Sequence, residues 1–252
     1  MAKAVELEID GKLATLRLSR GHGNAINGDL VEDLSDACAE VAADDRIRGA
    51  TLAAAGKLFC PGLDLRELIE LGRPEMEHFV SRLGACILAL YSFPKPLVAA
   101  LHGHAIAGGC VLSLTADWRV LREGALTGLA EIRVGVPFPF GVATILRETA
   151  IKLEEVALFG RNYEGQAAVA AGLVHEVASA DDFESCCRER VEELAAKDSR
   201  AFAITKRYLR APAVERIRAR ESGLVHEFVD AWFSPETRNR LEGIVAELKS
   251  RK

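Results

Sequence analysis

Hydrophobic and charged residues alternate at the start of the chain, from residue 5 to residue 18. Apolar side chains occupy every second position in 5–9 and again in 14–18, and Asp10-Gly11 supplies a turn between the two runs. A period of two places one face of each run on a core, and an Asp-Gly step favours a tight hairpin. The chain is therefore predicted to open with two antiparallel strands.

Apolar residues at helical spacing then alternate with short apolar runs. Helical spacing marks 30–41 and 79–90, whereas 50–55 and 96–101 have the length and composition of buried strands. The alternation continues to about residue 180 and predicts an α/β architecture.

The pattern is helical beyond that point. Ser179 and Asp182 have the spacing of a capping box, and Ser234-Pro235 precedes a last amphipathic helix. The predicted organisation is a core over residues 1–195 and a helical C-terminal region over residues 196–252.

Charge and composition exclude several kinds of partner. The formal net charge is −5 and the pI is near 5.8, which disfavours broad nucleic-acid binding. The N-terminus lacks the apolar stretch of a signal peptide, and no run approaches the ~18 apolar residues of a membrane span. We expect a cytoplasmic protein that binds neither nucleic acid nor a membrane.

Six cysteines are scattered through the chain without the C-x-x-C spacing of a zinc or redox site. Several lie in apolar runs, which is typical of buried thiols in a reducing compartment. We predict neither a disulfide framework nor a metal site.

Two glycine-containing turns are candidates for binding a developing negative charge. Residues 105–114 run from an apolar strand through Gly108-Gly109 into an apolar helix, whose first N–H groups have no partner within the helix. Residues 59–65 contain a Pro-Gly turn, after which the Leu63 amide is a free donor and Asp64 suits the first turn of a short helix.

Two such amides converging on one oxygen would form an oxyanion hole, in which one lost donor costs about 3–4 kcal/mol of barrier. Each turn taken alone is also typical of an ordinary tight turn. The glycine spacing does not match the G-x-G-x-x-G of a dinucleotide site, so a Rossmann fold is disfavoured.

Four segments together resemble the enoyl-CoA hydratase/isomerase, or crotonase, family: NAIN at 24–27, GKLFCPGLDL at 56–65, HGHAIAGGCVLSLTADWRV at 102–120 and LAEIRVGVP at 129–137. Their order and spacing match as well as their content, and the resemblance covers essentially the whole chain. It implies an α/β, crotonase-like (ClpP/crotonase) spiral of ββα turns with a helical C-terminal appendage involved in packing and trimerisation. It also implies an acyl-CoA substrate, no cofactor apart from the coenzyme A of that substrate, and a homotrimer or dimer of trimers.

The resemblance assigns roles to residues at matching positions. Glu131 would be the catalytic acid–base, and the amides of Leu63 and Gly108 would form the oxyanion hole. The residues implied in substrate and CoA binding are Pro61, Gly62, Leu63, Asp64, Leu65 and Gly108. Basic residues at four positions are either contacts of the CoA phosphates or solvated surface charges, namely Lys57, Arg66, Lys206 and Arg207.

The acidic positions distinguish two reactions of this family. Its hydratases carry two glutamates that orient a water, and here Val111 stands at the first position and Glu131 at the second. Burial among apolar neighbours would raise the pKa of Glu131 toward neutrality. One carboxylate suffices for a 1,3-proton shift in a 3-enoyl thioester. The sequence therefore favours a Δ3-Δ2-enoyl-CoA isomerase of fatty acid oxidation, and it is more similar to mitochondrial-type isomerases than to two-glutamate hydratases.

Other functions stay open. A hydratase or a thioester hydrolase would follow if another group replaced the missing glutamate. A degenerate relative would bind CoA or RNA without catalysis, although the acidic balance disfavours RNA. Phe138 and Phe140 are either walls of an acyl pocket or ordinary core residues.

Overall fold

The N-terminal alternation produces the expected hairpin, whose two strands pair with Val5 opposite Leu18 and Asp10 opposite Leu13. The computed structural model describes residues 3–250, apart from the side chain of His22. The described strands are β1 (Val5–Asp10), β2 (Leu13–Leu18), β3 (Gly49–Ala54), β4 (Leu97–Leu101), β5 (Ala105–Ile106), β6 (Trp118–Arg122), β7 (Leu126–Gly128), β8 (Asn162–Glu164) and β9 (Glu176–Ala178).

Helices connect most of these strands. They are α1 (Gly21–Asn24), α2 (Gly28–Ala43), α3 (Leu65–Leu68), α4 (Arg73–Tyr91), α5 (Gly108–Leu114), α6 (Phe140–Thr149), α7 (Leu153–Phe159), α8 (Gly165–Ala170), α9 (Phe183–Ala195), α10 (Ser199–Trp232) and α11 (Pro235–Ser250). A 3₁₀ helix occupies Glu131–Val134.

The strands form two sheets. The larger sheet has the order β1-β2-β3-β4-β6-β9, in which β1 and β2 are antiparallel and every later pair is parallel. The smaller sheet has the order β5-β7-β8. Parallel neighbours need crossover connections, and α2 and α4 supply two of them. The α/β architecture predicted from the alternation of elements is confirmed.

Hydrophobic residues pack on both faces of the larger sheet. One face meets α2 and α4 in the main core, and the other face meets α9 through a smaller cluster that includes Val98, Val120 and Phe183. All five residues of β4 are buried. Burial on both faces explains why this strand is a continuous apolar run instead of an alternating one.

The two C-terminal helices pack on the core of the same chain. Helix α10 contacts α4 and α6, and α11 contacts α3 and the 3₁₀ helix. The Asp198 side chain caps α10 by accepting from the Ala201 N–H at 2.8 Å. The division of the chain into domains at residue 195 stays a prediction.

The six cysteines are free thiols. No helix within residues 3–250 is long and apolar enough to cross a membrane. The same residues contain no cluster of three or more His, Cys, Asp or Glu side chains arranged to hold a metal ion.

Candidate active site

A cavity of about 240 Å³ lies where the sheet-based core meets the C-terminal helices. Its walls come from the loop before α3, from α5, from the 3₁₀ helix and its following loop, and from α10 and α11. Representative lining residues are Leu63, Gly108, Val111, Glu131, Phe138 and Trp232. Because most of the wall is apolar, the cavity suits a hydrocarbon chain with few polar contacts.

The backbone of Leu63 is held beside Ile26. The Ile26 N–H donates to the Gly62 carbonyl at 2.8 Å, and the Asp64 N–H donates to the Ile26 carbonyl at 2.8 Å. In this parallel pairing Leu63 directs its own N–H away from Ile26. Within residues 3–250 the Leu63 N–H makes no hydrogen bond to another backbone group. It is therefore a free donor at a residue that lines the cavity.

Gly108 supplies a second free donor at the start of α5. Like that of Leu63, its N–H has no backbone acceptor in the described part of the chain. The preceding residue, Ala107, has φ 52° and ψ −124°, a conformation that is rare for a residue with a side chain. Hydrogen bonds from Ala107 N–H to the Gly128 carbonyl at 2.8 Å and from Val111 N–H to the Ala107 carbonyl at 3.0 Å hold this turn.

Two glycines allow the turns that carry these donors to approach each other closely. A Cβ atom on Gly109 would lie 2.1 Å from the Cys60 carbonyl oxygen, so only glycine fits there. Gly62 has φ +105°, and a Cβ on it would lie 2.8 Å from the Ala107 Cβ and 3.3 Å from the Gly108 nitrogen. The loop before α3 and the start of α5 are therefore in direct contact.

Glu131 begins the 3₁₀ helix and faces the same cavity. Its Oε2 atom is shut off from solvent and has no hydrogen-bond partner among the described residues. Burial raises the pKa of Glu131 to about 7, an effect that the nearby backbone N–H groups of Ala130 and Glu131 offset only in part. A carboxyl group with this pKa can take up and release a proton near neutral pH.

Val111 lies one turn beyond Gly108 on α5 and also lines the cavity. It is 5% exposed. Glu131 is the only ionisable residue among the described residues that line the cavity. The site therefore presents one carboxyl group in a largely apolar cavity.

The structure brings together most of the residues expected at the site. Pro61, Leu63, Leu65 and Gly108 line the cavity with Glu131. Two residues assigned to substrate binding, Gly62 and Asp64, are not among the lining residues.

Asp64 instead has structural partners. Its carboxylate accepts from the Arg66 N–H at 3.1 Å, which caps α3, and pairs with Arg20 at 2.7 Å. Of the two phenylalanines, Phe138 lines the cavity, whereas Phe140 stacks under Arg220 with 5.1 Å between the ring centroid and Cζ.

The expectation that Lys206 is a solvated surface charge is wrong, whereas a contact with the CoA phosphates stays a prediction. Its side chain is buried, and Nζ donates to Asp117 Oδ2 at 2.6 Å and to the Lys95 carbonyl at 3.0 Å. Arg66 donates to the Leu248 carbonyl at 3.0 Å, which ties α3 to α11. Lys57 is exposed.

Sequence reasoning missed the contribution of the C-terminal helices to the cavity. Phe228, Trp232 and Ile244 line it together with Leu83 and Ile87 of α4. The spacing of four between Phe228 and Trp232, which stack with 6.1 Å between ring centroids, is a usable signal for one shared helix face. Arg20, which pairs with Asp64, was also missed.

Comparison with known proteins identifies the family that the chain resembles in sequence. The profile of the enoyl-CoA hydratase/isomerase family matches residues 8–248. A "Probable enoyl-CoA hydratase" of Mycolicibacterium paratuberculosis is 30% identical over 225 residues, which span 87% of this chain and 88% of that protein. "Enoyl-CoA hydratase domain-containing protein 2, mitochondrial" of Bos taurus is 30% identical over 227 residues, which span 88% and 77% of the two chains.

Two solved structures extend the comparison to the fold. Human mitochondrial Δ3-Δ2-enoyl-CoA isomerase superposes with a TM-score of 0.91 at 24% identity and covers 99% of both chains. A Mycobacterium tuberculosis protein superposes with a TM-score of 0.82 at 26% identity and covers 90% of this chain and 99% of that chain; it is described as an enoyl-CoA isomerase in one structure and as a probable enoyl-CoA hydratase in another. The crotonase-like fold predicted from the sequence motifs is confirmed.

Proposed function

The chain belongs to the enoyl-CoA hydratase/isomerase family, and from that premise we propose that it isomerises a 3-enoyl-CoA to the trans-2-enoyl-CoA in fatty acid oxidation. The observation that carries this proposal is the single carboxyl group of the cavity. Glu131 and Val111 line the same cavity, whose wall is otherwise apolar. Addition of water needs a second group to orient the water, whereas a proton shift does not.

The backbone N–H groups and the carboxyl group of the site have different roles in the proposed reaction. The N–H groups of Leu63 and Gly108 donate to the thioester oxygen, which gains negative charge as the proton leaves C2. Ionised Glu131 accepts that proton, and the electron pair of the broken C–H bond passes into a dienolate. Protonated Glu131 then returns the proton to C4, which leaves the double bond between C2 and C3. The apolar wall around Val111 excludes a competing water.

The test supplies the purified protein with a 3-enoyl-CoA and, separately, with a 2-enoyl-CoA, and follows the products by mass spectrometry. Isobaric conversion of the 3-enoyl-CoA without gain of water is the expected result. Gain of water by the 2-enoyl-CoA would make the enzyme a hydratase, and release of free CoA would make it a thioester hydrolase.

Replacement of Glu131 tests the assignment of the proton carrier. Glu131→Gln keeps the shape of the side chain but removes its acid–base function, so we expect kcat to fall by about 10²- to 10⁴-fold while acyl-CoA binding survives. Glu123→Gln is a matched control because Glu123 is exposed and does not line the cavity. Full activity of Glu131→Gln would overturn the assignment.

We also propose that the chain assembles as a homotrimer or a dimer of trimers. Several large apolar side chains are exposed on the isolated chain, namely Ile151, Leu158, Phe159, Tyr208 and Leu209. Apolar side chains exposed in this number support contact with further copies of the chain. Light scattering coupled to gel filtration measures the assembly directly, and a monomer at micromolar concentration would contradict the proposal.

A further inference from the structure

Arg20 connects two segments beside the candidate oxyanion hole. Its Nη1 atom donates to the Ala25 carbonyl at 2.8 Å and to Asp64 Oδ2 at 2.7 Å. Its Nη2 atom pairs with Glu67. The Arg20 side chain is 13% exposed and the Asp64 side chain 3% exposed. A planar guanidinium that binds several fixed acceptors in a largely buried setting restrains all of them together.

The acceptors Ala25 and Asp64 are next in sequence to residues that orient the Leu63 N–H. Ala25 directly precedes Ile26, and Asp64 directly follows Leu63. Ile26 and Leu63 are the paired residues whose hydrogen bonds turn the Leu63 N–H away from Ile26, and both line the cavity. Arg20 therefore binds the chain neighbour of each member of this pairing at once.

Burial decides which contact of Arg20 matters most. Glu67 is 48% exposed, and an ion pair with an exposed carboxylate restrains little. Asp64 is nearly inaccessible, and its other carboxylate oxygen caps α3 through the Arg66 N–H. Of the two ion pairs of Arg20, the one with Asp64 therefore restrains the loop carrying Leu63 more.

We infer that Arg20 is a positioning residue for the oxyanion hole, which acts through Ala25 and Asp64 on the direction of the Leu63 N–H. The inference rests on the proposed function to the extent that a thioester oxygen lies between Leu63 and Gly108. Arg20 is absent from the cavity wall, so its effect reaches the substrate only through the backbone.

A positioning role predicts a specific kinetic pattern. Misplacement of a catalytic group by about 1 Å costs about 10²-fold in rate. We expect Arg20→Met to lower kcat by about 10- to 100-fold and to change KM by less than about threefold, because the apolar cavity still holds the acyl chain. Arg20→Lys keeps the charge but not the planar fork, so an intermediate loss is expected.

The decisive measurement is the infrared band of a thioester carbonyl labelled with ¹³C in a saturated acyl-CoA, which binds without reacting. In the wild-type enzyme the band shifts to lower frequency as two N–H groups polarise the carbonyl. Arg20→Met and Asp64→Asn are each expected to lose most of that shift, and the double variant is expected to lose little more, because each change already removes the contact between Arg20 and Asp64.

Arg17→Met serves as the control. It removes the ion pair with Glu8 on the N-terminal hairpin, away from the cavity wall, and should leave both the band and kcat unchanged. A full wild-type shift in folded Arg20→Met would overturn the inference. If Arg20→Met does not fold, Arg20→Lys decides: a reduced shift supports the positioning role and an unchanged shift overturns it.

The experiment separates this inference from the proposed isomerisation. A wild-type enzyme that shifts the carbonyl band but does not convert a 3-enoyl-CoA would overturn the isomerase alone. A wild-type enzyme that binds the acyl-CoA without any shift would overturn the oxyanion hole and, with it, the role of Arg20.

Discussion

Glu131 illustrates how a single side chain is adjusted to its task by the surrounding structure. Water cannot reach its Oε2 atom, and no described donor replaces the water. The ionised form is therefore disfavoured, and the pKa rises from 4.5 to about 7. This arrangement weakens the folded protein near neutral pH and at the same time supplies a base that can release its proton again.

The pH dependence of activity follows from this pKa. Glu131 must be ionised to remove a proton from C2, so kcat/KM is expected to increase with pH and to level off above about 7. Initial rates with a 3-enoyl-CoA across this range test the expectation. A rate that is independent of pH on both sides of about 7 would mean that another group removes the proton.

The free energy of unfolding should depend on the same ionisation of Glu131, but it should fall as the pH rises, whereas activity should increase. Because the pKa of Glu131 is raised in the folded state, its contribution to the free energy of unfolding is fully present below about 4.5 and is lost as the pH rises through about 7. Between pH ~5 and ~8 the wild type is expected to lose on the order of 2 kcal/mol that Glu131→Gln retains. Urea unfolding of both proteins at the two pH values measures the difference, and Glu123→Gln should behave like the wild type.

Gly109 is the position where a single methyl group should be most damaging. Its new Cβ would lie 2.1 Å from the Cys60 carbonyl oxygen, and a backbone atom cannot move aside without displacing the loop that carries Leu63. We expect Gly109→Ala to lower the free energy of unfolding by about 1–3 kcal/mol and to abolish most activity. Gly28→Ala is the control, because a Cβ there meets nothing within 4 Å. Equal behaviour of the two variants would contradict this account of the contact.

Helix α10 is joined to the core by a buried group of charges. Asp117 accepts from Lys206 at 2.6 Å and from Arg210 at 2.7 Å, and it also accepts from the Leu97 N–H at 2.8 Å. One carboxylate therefore neutralises two cations of α10 and is anchored to β4. These contacts hold the N-terminal part of α10 against the core.

Asp117 and Lys206 should not contribute equally to the free energy of unfolding. Asp117→Asn leaves two buried cations without their counterion, and such a loss typically costs about 3–5 kcal/mol. Lys206→Met leaves Asp117 with Arg210 and the Leu97 N–H, so we expect a clearly smaller decrease in the free energy of unfolding. Chemical denaturation followed by circular dichroism compares them. A larger loss in Lys206→Met than in Asp117→Asn would contradict this assignment.

At the scale of the whole molecule, the cavity exists only because three distant parts of the chain meet. The core supplies the backbone donors, the 3₁₀ helix supplies Glu131, and the C-terminal helices supply Phe228 and Trp232. Under the proposed function, residues far in sequence from Leu63, Gly108 and Glu131 therefore contribute to the wall that meets the acyl chain.

Replacement of Trp232 tests whether the C-terminal helices limit the length of the acyl chain that the cavity accepts. Trp232→Leu removes part of the wall, so kcat/KM is expected to shift toward longer 3-enoyl-CoAs while the proton shift itself persists. The free energy of unfolding should fall by about 2–4 kcal/mol, because the side chain is fully buried. Trp118→Leu is the control, since Trp118 stacks on His175 and lies outside the cavity wall. An unchanged chain-length preference in Trp232→Leu would contradict the assignment of Trp232 to the acyl wall.

Local pattern was enough to determine the architecture of this protein. The period-two alternation identified the hairpin, and alternating helix and strand signals identified an α/β fold. The resemblance to the enoyl-CoA hydratase/isomerase family indicated the candidate residues Leu63, Gly108 and Glu131, which line one cavity. The hairpin and the α/β pattern are recoverable from sequence because hydrophobic period, turn chemistry and helix termini each depend on neighbouring residues.

Only the tertiary structure decided which side chains face the cavity and which are used to hold it. Asp64 is in the motif but contacts Arg20, Lys206 is basic but buried against Asp117, and Trp232 lies in the tail but lines the cavity. Each of these roles depends on a partner far along the chain. Periodicity reports the face of a helix or strand that is buried, but it does not report what that face meets, because long-range packing decides the partner.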